Sequence, residues 1–346
     1  MTQERAPLGT VLSHVALPVL MGLIMAVAYL GGFHKPAPHE VPLAVVGSTA
    51  QAQPVASAMQ QALGDKADVT VLPSTAAATD QLRHLDLTGA YVPGPKQATL
   101  LVSTMASDAA KSAATQMFSP VAAKQGVPLV TRDVTGVPAS DPVGQNGFFF
   151  LVALTVGSYA SSIAIGAAGA SRRLRDRVGI ALGAAVVIST VGLLIARGFY
   201  GMFPGDLPAV WGLSLLYTAA VLLIGVGLHP ILGRFSTITY AAVFVALNFT
   251  TSGGVFPTTL QPAFFGLLHN FWIGAGFVES LRRVLYFPDV SIAGPLAILL
   301  GWLALGVLCI GLAHLVERRR TTAAARLERG RLSARVEEEL EEDVAV

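Results

Sequence analysis

Residues 10–33 read TVLSHVALPVLMGLIMAVAYLGGF, twenty-four positions without a formal charge. A helix of about 20 apolar residues crosses the hydrocarbon core of a bilayer, so this run is long enough to span. Pro18 is tolerable there, because a lipid-embedded helix repairs the lost bond locally. No convincing small-residue cleavage site separates the run from the water-soluble stretch that follows, and it reads as a retained signal anchor.

Outward from that run the chain divides into two kinds of sequence. Of 346 residues, 53% are hydrophobic and only 13% charged, against about 25% charged in an ordinary soluble domain. The deficit is uneven: 147–316 is mostly uncharged, whereas 34–146 has a soluble composition and holds all the lysines, Lys35, Lys66, Lys96, Lys111 and Lys124. The formal net charge of +2 hides this segregation and gives no nucleic-acid reading. The single cysteine, Cys309, lies in the last apolar run, which excludes an intrachain disulfide and a thiol cluster. It reads as a small buried or lipid-facing side chain.

Further spans are expected at Phe148 to Ala170, Val178 to Ala196, Leu207 to Leu228, Thr237 to Thr250 and Ile292 to Val316. Six crossings put both termini on one side. Short loops rich in arginine stay cytoplasmic, and SRRLRDR (171–177), Arg234 and ERRR (317–320) all fall on the side of the termini. The expected protein is therefore an α-helical integral membrane bundle of about six transmembrane helices in the plasma membrane. It comprises a cytoplasmic N-terminus and first span (1–33), an extracytoplasmic α/β domain (34–146), five more spans (147–316) and a charged cytoplasmic tail (317–346).

Within 34–146, PLAVVG (42–47), VTVLP (69–73), GAYVP (89–93), ATLLVS (98–103) and PLVTRDV (128–134) read as strands. Helical stretches at 56–63, 76–85 and 108–124 stand between them, an α/β order. No catalytic set assembles: Ser48 and Thr49 follow a strand, but no histidine and acid accompany them at motif spacing. His34, His39 and Glu40 straddle Pro36 and Pro38 and read as solvated linker residues, not as a metal site. His84 and Asp86 read the same way. No cofactor site and no catalytic or metal-binding residue is expected.

The segment NFTTSGGVFPTTLQPAFFGLLHNFWIGAGFVESLRRVLYFPDV (248–290) is apolar without being a clean span. Gly253, Gly254, Pro257 and Pro262 break a continuous helix, and the aromatic residues suit a membrane interface. Irregular backbone at membrane depth survives only where protein or a water-filled cavity covers it. A re-entrant helical hairpin over about 253–280 is expected, its tip at Gln261 to Ala263 or at the glycine pair. It either gates a pathway or caps the bundle. Glu279, Arg282 and Arg283 share a helical face, which gives an interfacial ion pair or a proton-coupling carboxylate.

This order of parts, with TSGGVFP (251–257) leading into LLHNFWIGAGFVESLRRVLY (267–286), resembles the type-2 ABC exporter permeases. Within them it resembles the phage infection protein group, also called YhgE/Pip-like. That group's Ser-Gly-Gly-x-Phe-Pro stretch and later acid-x-x-Arg fall here on Ser252, Gly253, Gly254, Phe256, Pro257, Glu279 and Arg282. PLAVVG and GAYVP are similar to that group as well. The resemblance implies a permease half, paired as a homodimer or with a related permease, that moves an amphiphilic or cell-envelope substrate outward. A separate ATPase subunit would drive it, with Arg172, Arg173, Arg175 and Asp176 as candidate contacts. The same arginines also suit topology and anionic lipid. No G-x-x-x-x-G-K-[ST] phosphate loop is present, so this chain is not itself the ATPase. The alternative is an energy-independent receptor or scaffold whose outer domain binds an envelope component or a phage. The tail, ending RVEEELEEDVAV, is rich in helix formers, and the small residues of 158–171 and 179–185 suit close helix packing.

Overall fold

A run that cannot bond to water satisfies its backbone as helix, and α1 (Leu8–Phe33) does so without a break at Pro18. The computed structural model describes residues 8–344. After α1 an extended linker leads into a unit of alternating strands and helices: β1 (Val41–Val46), α2 (Thr49–Leu63), β2 (Ala67–Leu72), α3 (Thr75–Arg83), β3 (Gly89–Val92), β4 (Ala98–Val102), α4 (Asp108–Lys124) and β5 (Leu129–Asp133). The strands form one sheet in the order β2-β1-β3-β4-β5. Strands β2, β1 and β3 are parallel, β4 runs against β3, and β5 is parallel to β4.

Alternation along each strand decides which helix covers which face. Leu43, Val45, Tyr91 and Leu100 face Ala56, Met59, Ala114 and Phe118 of α2 and α4. Ala44, Val46, Ala90 and Leu101 face Ala78 and Leu82 of α3. Ser74 and Ser107 start α3 and α4 by accepting the backbone N–H three residues on, the usual reason a serine stands at that position.

The remainder is helical. Helices α5 (Asn146–Ala168), α6 (Leu174–Tyr200) and α7 (Leu207–Leu232) are followed by α8 (Ser236–Tyr240), a π-helical stretch Ala241–Leu247, and α9 (Asn248–Thr251). After a broken region come α10 (Ala263–His269), α11 (Ile273–Tyr286) and α12 (Ala293–Val344). Among the described residues, five helical stretches are long and apolar enough to cross a membrane: Val15–Phe33, Asn146–Ala168, Leu174–Tyr200, Leu207–Thr251 and Ala293–Ser333. Their outward faces carry exposed apolar side chains such as Leu23 and Val27 on α1, Val187 and Leu194 on α6, and Val307 and Leu308 on α12. Surface of that kind and extent suits lipid.

The fourth stretch has 45 residues, about 67 Å as a straight helix, which is twice the hydrocarbon thickness. It is not straight. Gly233 takes φ 52°, a conformation that glycine adopts without steric cost, and the chain folds back there. The Tyr240 hydroxyl donates to the Gly225 carbonyl (2.6 Å) and the Asn248 amide to the Tyr217 hydroxyl (2.9 Å). One set of numbers falls as the other rises, as two antiparallel arms require. Helix α7 is the central element, packed by α5, α6, α11 and α12, and α1 lies against the returning arm.

Two features differ from the sequence expectation. The turn between the two short helices of this segment lies at Asn270 to Trp272, between α10 and α11, not at Gln261 to Ala263 or at the glycine pair. The expected boundary between span and tail at 316 leaves no mark on the backbone, since α12 continues as helix to Val344. Good helix formers on both sides of the boundary account for that.

Candidate functional site

The last carbonyls of any helix lack intrahelical partners, and α9 ends inside the bundle, where water does not serve them. Those of Thr250 and Thr251, and that of Gly253 just beyond, are met by side chains that follow in the chain. Gln261 Nε2 donates to the Thr250 carbonyl (2.8 Å), His269 Nδ1 to that of Thr251 (2.8 Å), and Arg282 Nη2 to that of Gly253 (2.9 Å). A carbonyl only accepts, so His269 carries its proton on Nδ1. Ser252 turns the chain: its hydroxyl donates to the Phe249 carbonyl and accepts from the Gly254 N–H. Gly253 has φ 71°. At Gly254 a Cβ would stand within 2.8 Å of three Phe148 side-chain atoms.

Partners fix the depth of the α10–α11 turn. The Trp272 indole donates to the Val243 carbonyl (3.2 Å), eight residues inside the end of α9, within the π-helical stretch. The Trp302 indole donates to the Phe271 carbonyl (2.7 Å), nine residues into α12. At 1.5 Å per residue the turn lies about 12–14 Å inside the sheet-side ends of these helices. Helix α11 then climbs back: the Phe277 ring packs at a tilt against Tyr217 and Phe150, Leu281 meets Gly147, and the Tyr286 hydroxyl donates to Asp141 beyond the start of α5.

On α11, Glu279 and Arg282 form an i,i+3 ion pair with side chains only 18% and 10% exposed. The His269 ring and the Glu279 carboxylate both lie against Gly253. Arg283, beside them, donates to the Ser291 carbonyl. Together Arg282, Arg283, Glu279 and His269 form the floor of a crevice of about 290 Å³, roofed by Leu87, Ser103 and Ala110 of the sheet unit. Deeper in the bundle, Asn248 donates to Tyr217, whose hydroxyl lies 2.5 Å from that of Thr155. The Asn248 Oδ1 and Ser280 Oγ atoms are buried without a hydrogen-bond partner among the described residues.

Phe256 and Pro257 leave this cluster and join the sheet unit. Leu260 is 3% exposed and belongs to the core between the sheet and α2 and α4, with Phe256 packed at its edge. The backbone is tied as well: Ala37 N–H donates to the Leu260 carbonyl and His39 N–H to that of Thr259. The broken region therefore has both ends in the bundle and its middle, Phe256 to Leu260, seated in the sheet unit.

Of the residues singled out from sequence, Ser252, Gly253, Gly254, Glu279 and Arg282 meet in one cluster. Arg172, Arg173, Arg175 and Asp176 stand apart at the other end of the bundle, all exposed, with Arg175 and Asp176 3.5 Å apart. Sequence reasoning missed Gln261 and His269 as carbonyl caps. The signal available for them was a polar side chain next to helix-breaking residues in an apolar stretch. No family model matches the chain, and neither a curated protein nor a solved structure does.

Proposed function

We propose that the chain is the permease subunit of an ABC-type exporter in the plasma membrane, moving an amphiphilic or cell-envelope substrate outward under the power of an ATPase on a separate chain. In this reading both arms of Leu207–Thr251 cross the bilayer, giving six crossings with both termini cytoplasmic and residues 34–146 extracytoplasmic. The α10–α11 segment is re-entrant and acts as the outer gate. The chain pairs with a second copy or a related permease. The resemblance of 248–286 to the phage infection protein group supports this.

The observation that carries the reading is the broken helix end. Two carbonyls at the broken end of α9, those of Thr251 and Gly253, are held by His269 of α10 and Arg282 of α11, which a movement of these helices would withdraw together. The Glu279–Arg282 pair then works as a latch. Closed, it neutralises two charges and supplies the donor for Gly253; opened, it presents a carboxylate and a guanidinium to the crevice beneath the sheet unit. Discontinuous helices of this kind line transport pathways. Because Phe256 to Leu260 are anchored in the sheet unit, displacement of that unit is transmitted to the latch.

The test is purification of the full chain from its native membranes in mild detergent, followed by an assay for vanadate-sensitive ATP hydrolysis. Co-purifying activity is expected, and its absence under conditions that keep other exporters intact overturns the ATP-driven reading. A receptor or scaffold is the second reading. It is favoured by an open crevice of about 470 Å³ between α3 and β4–β5, lined by Thr75, Asp80, Arg83 and Arg132. Arg132→Ala abolishes function under that reading and leaves export intact under the first.

A further inference from the structure

At the end of the bundle opposite the sheet unit, a second set of polar groups is buried that the proposed gate does not use. Arg177, in the first turn of α6, is 2% exposed, and its Nη2 pairs with Glu317 of α12. Its Nε is buried with no hydrogen-bond partner among the described residues. His229, near the end of α7, lies so close to Gly166 of α5 that a Cβ there would overlap its ring, and its Nδ1 is likewise buried without a partner. Arg320 and Thr321, one turn beyond Glu317, complete a crevice of about 330 Å³ with these residues.

Its chemistry is one-sided. Glu317 pairs with Arg177, and Arg320 forms no ion pair among the described residues. The Nε–H of Arg177, the guanidinium of Arg320 and the imidazole of His229 all can donate, while the Thr321 hydroxyl is bonded within its own helix to the Glu317 and Arg318 carbonyls. A buried donor left unmade is costly, and an anion with several acceptor oxygens removes the cost at several donors at once. Phosphate is that anion, and a guanidinium fork matches it in shape. The depth is also suitable. Glu317 follows Ala293 by 24 residues of continuous helix, about 36 Å, which places it in the headgroup layer of a bilayer about 40–45 Å thick between its polar surfaces. Exposed Leu308, Leu312 and Leu315 of α12 offer apolar surface to acyl chains on the hydrocarbon side.

We propose that this crevice binds the phosphate of an anionic phospholipid headgroup, fastening α12 to α6 and α7 at the membrane surface. The proposal does not depend on the permease reading. It is tested on the purified full chain in neutral detergent by thermal unfolding with phosphatidylglycerol, with phosphatidylcholine at equal mole fraction, and with inorganic phosphate at constant ionic strength. Phosphatidylglycerol at about ten times its Kd is expected to raise Tm by about 2 °C, with no shift from phosphatidylcholine. Arg320→Gln, which leaves the Arg177–Glu317 pair in place and so keeps the fold, loses most of the shift. Arg234→Gln, at an exposed arginine in the α7–α8 turn, keeps it. Equal shifts from the two lipids, a full shift in Arg320→Gln, or loss in both variants overturns the site. A shift with inorganic phosphate and none with phosphatidylglycerol overturns the lipid as its source.

Discussion

Gly254 has no room for a methyl group. Its Cβ would meet the Cβ and ring of Phe148, itself buried against Phe249, and overpacking of this kind costs about 1–3 kcal/mol. Gly254→Ala is expected to lower the Tm of the full chain by several degrees. Gly266→Ala, whose Cβ would find only an ordinary contact with Thr258, serves as the control, and equal values for the two variants would count against the packing. The Glu279–Arg282 pair makes a sharper prediction. Glu279→Gln leaves a largely buried guanidinium unpaired, at about 3–5 kcal/mol, whereas the double variant Glu279→Gln/Arg282→Met removes both charges and recovers part of the loss. Additive losses in chemical denaturation would show that the two side chains do not act as a pair. Sequence spacing was enough to pair Glu279 with Arg282, because i,i+3 proximity is local. It was not enough to find Arg177, which reads as one more loop arginine; its burial depends on Glu317, 140 positions away.

Strands and helices were more legible than their interactions. The five stretches read as strands from β-branched and apolar runs begin and end within two residues of β1 to β5, since alternation and flanking turn residues are properties of the stretch itself. The α10–α11 turn was misplaced for the opposite reason. Phe271 and Trp272 look interfacial, yet the Trp272 indole finds its acceptor on Val243 in a π-helical stretch that no local pattern announces. Strand β5 carries a pH prediction. Burial by itself would raise the Asp133 carboxyl, but hydrogen bonds from Thr104 and Thr135 outweigh it and hold the group below its ordinary value of 3.8. A depressed carboxylate contributes stability above its unfolded value and loses it as pH falls through the folded one. The β4–β5 edge should therefore be fully stable at pH 5 and above and loosen below about pH 4. Hydrogen exchange at the Thr104 and Thr135 amides, corrected for intrinsic rates, is expected to quicken on acidification in the wild type. It is expected to be fast at both pH values in Asp133→Asn, and a wild type indifferent to pH would remove Asp133 from the account.

For the whole molecule the decisive question is how many times residues 207–251 cross. If both arms span, Arg234 shares a side with Thr322, and Lys124 lies on the other. In a background with Cys309 replaced by Ser, single cysteines at 234 and 322 are expected to react with an impermeant maleimide only after the membrane is opened, and a cysteine at 124 before. Labelling of 234 alongside 124 in sealed cells would refute the folded-back hairpin as two crossings. The seating of Leu260 in the sheet unit bears on how such a chain is made. Strand β5 ends at Asp133, but the residue that closes the core over it is 127 positions later in translation. At about 5–20 residues per second, the sheet unit waits on the order of ten seconds with an apolar slot open, while α5 to α9 are still leaving the ribosome and entering the bilayer. Biogenesis thus has a built-in order: the unit that is synthesised early is finished late, and in the interval its open slot is the place where a holding chaperone has something to hold.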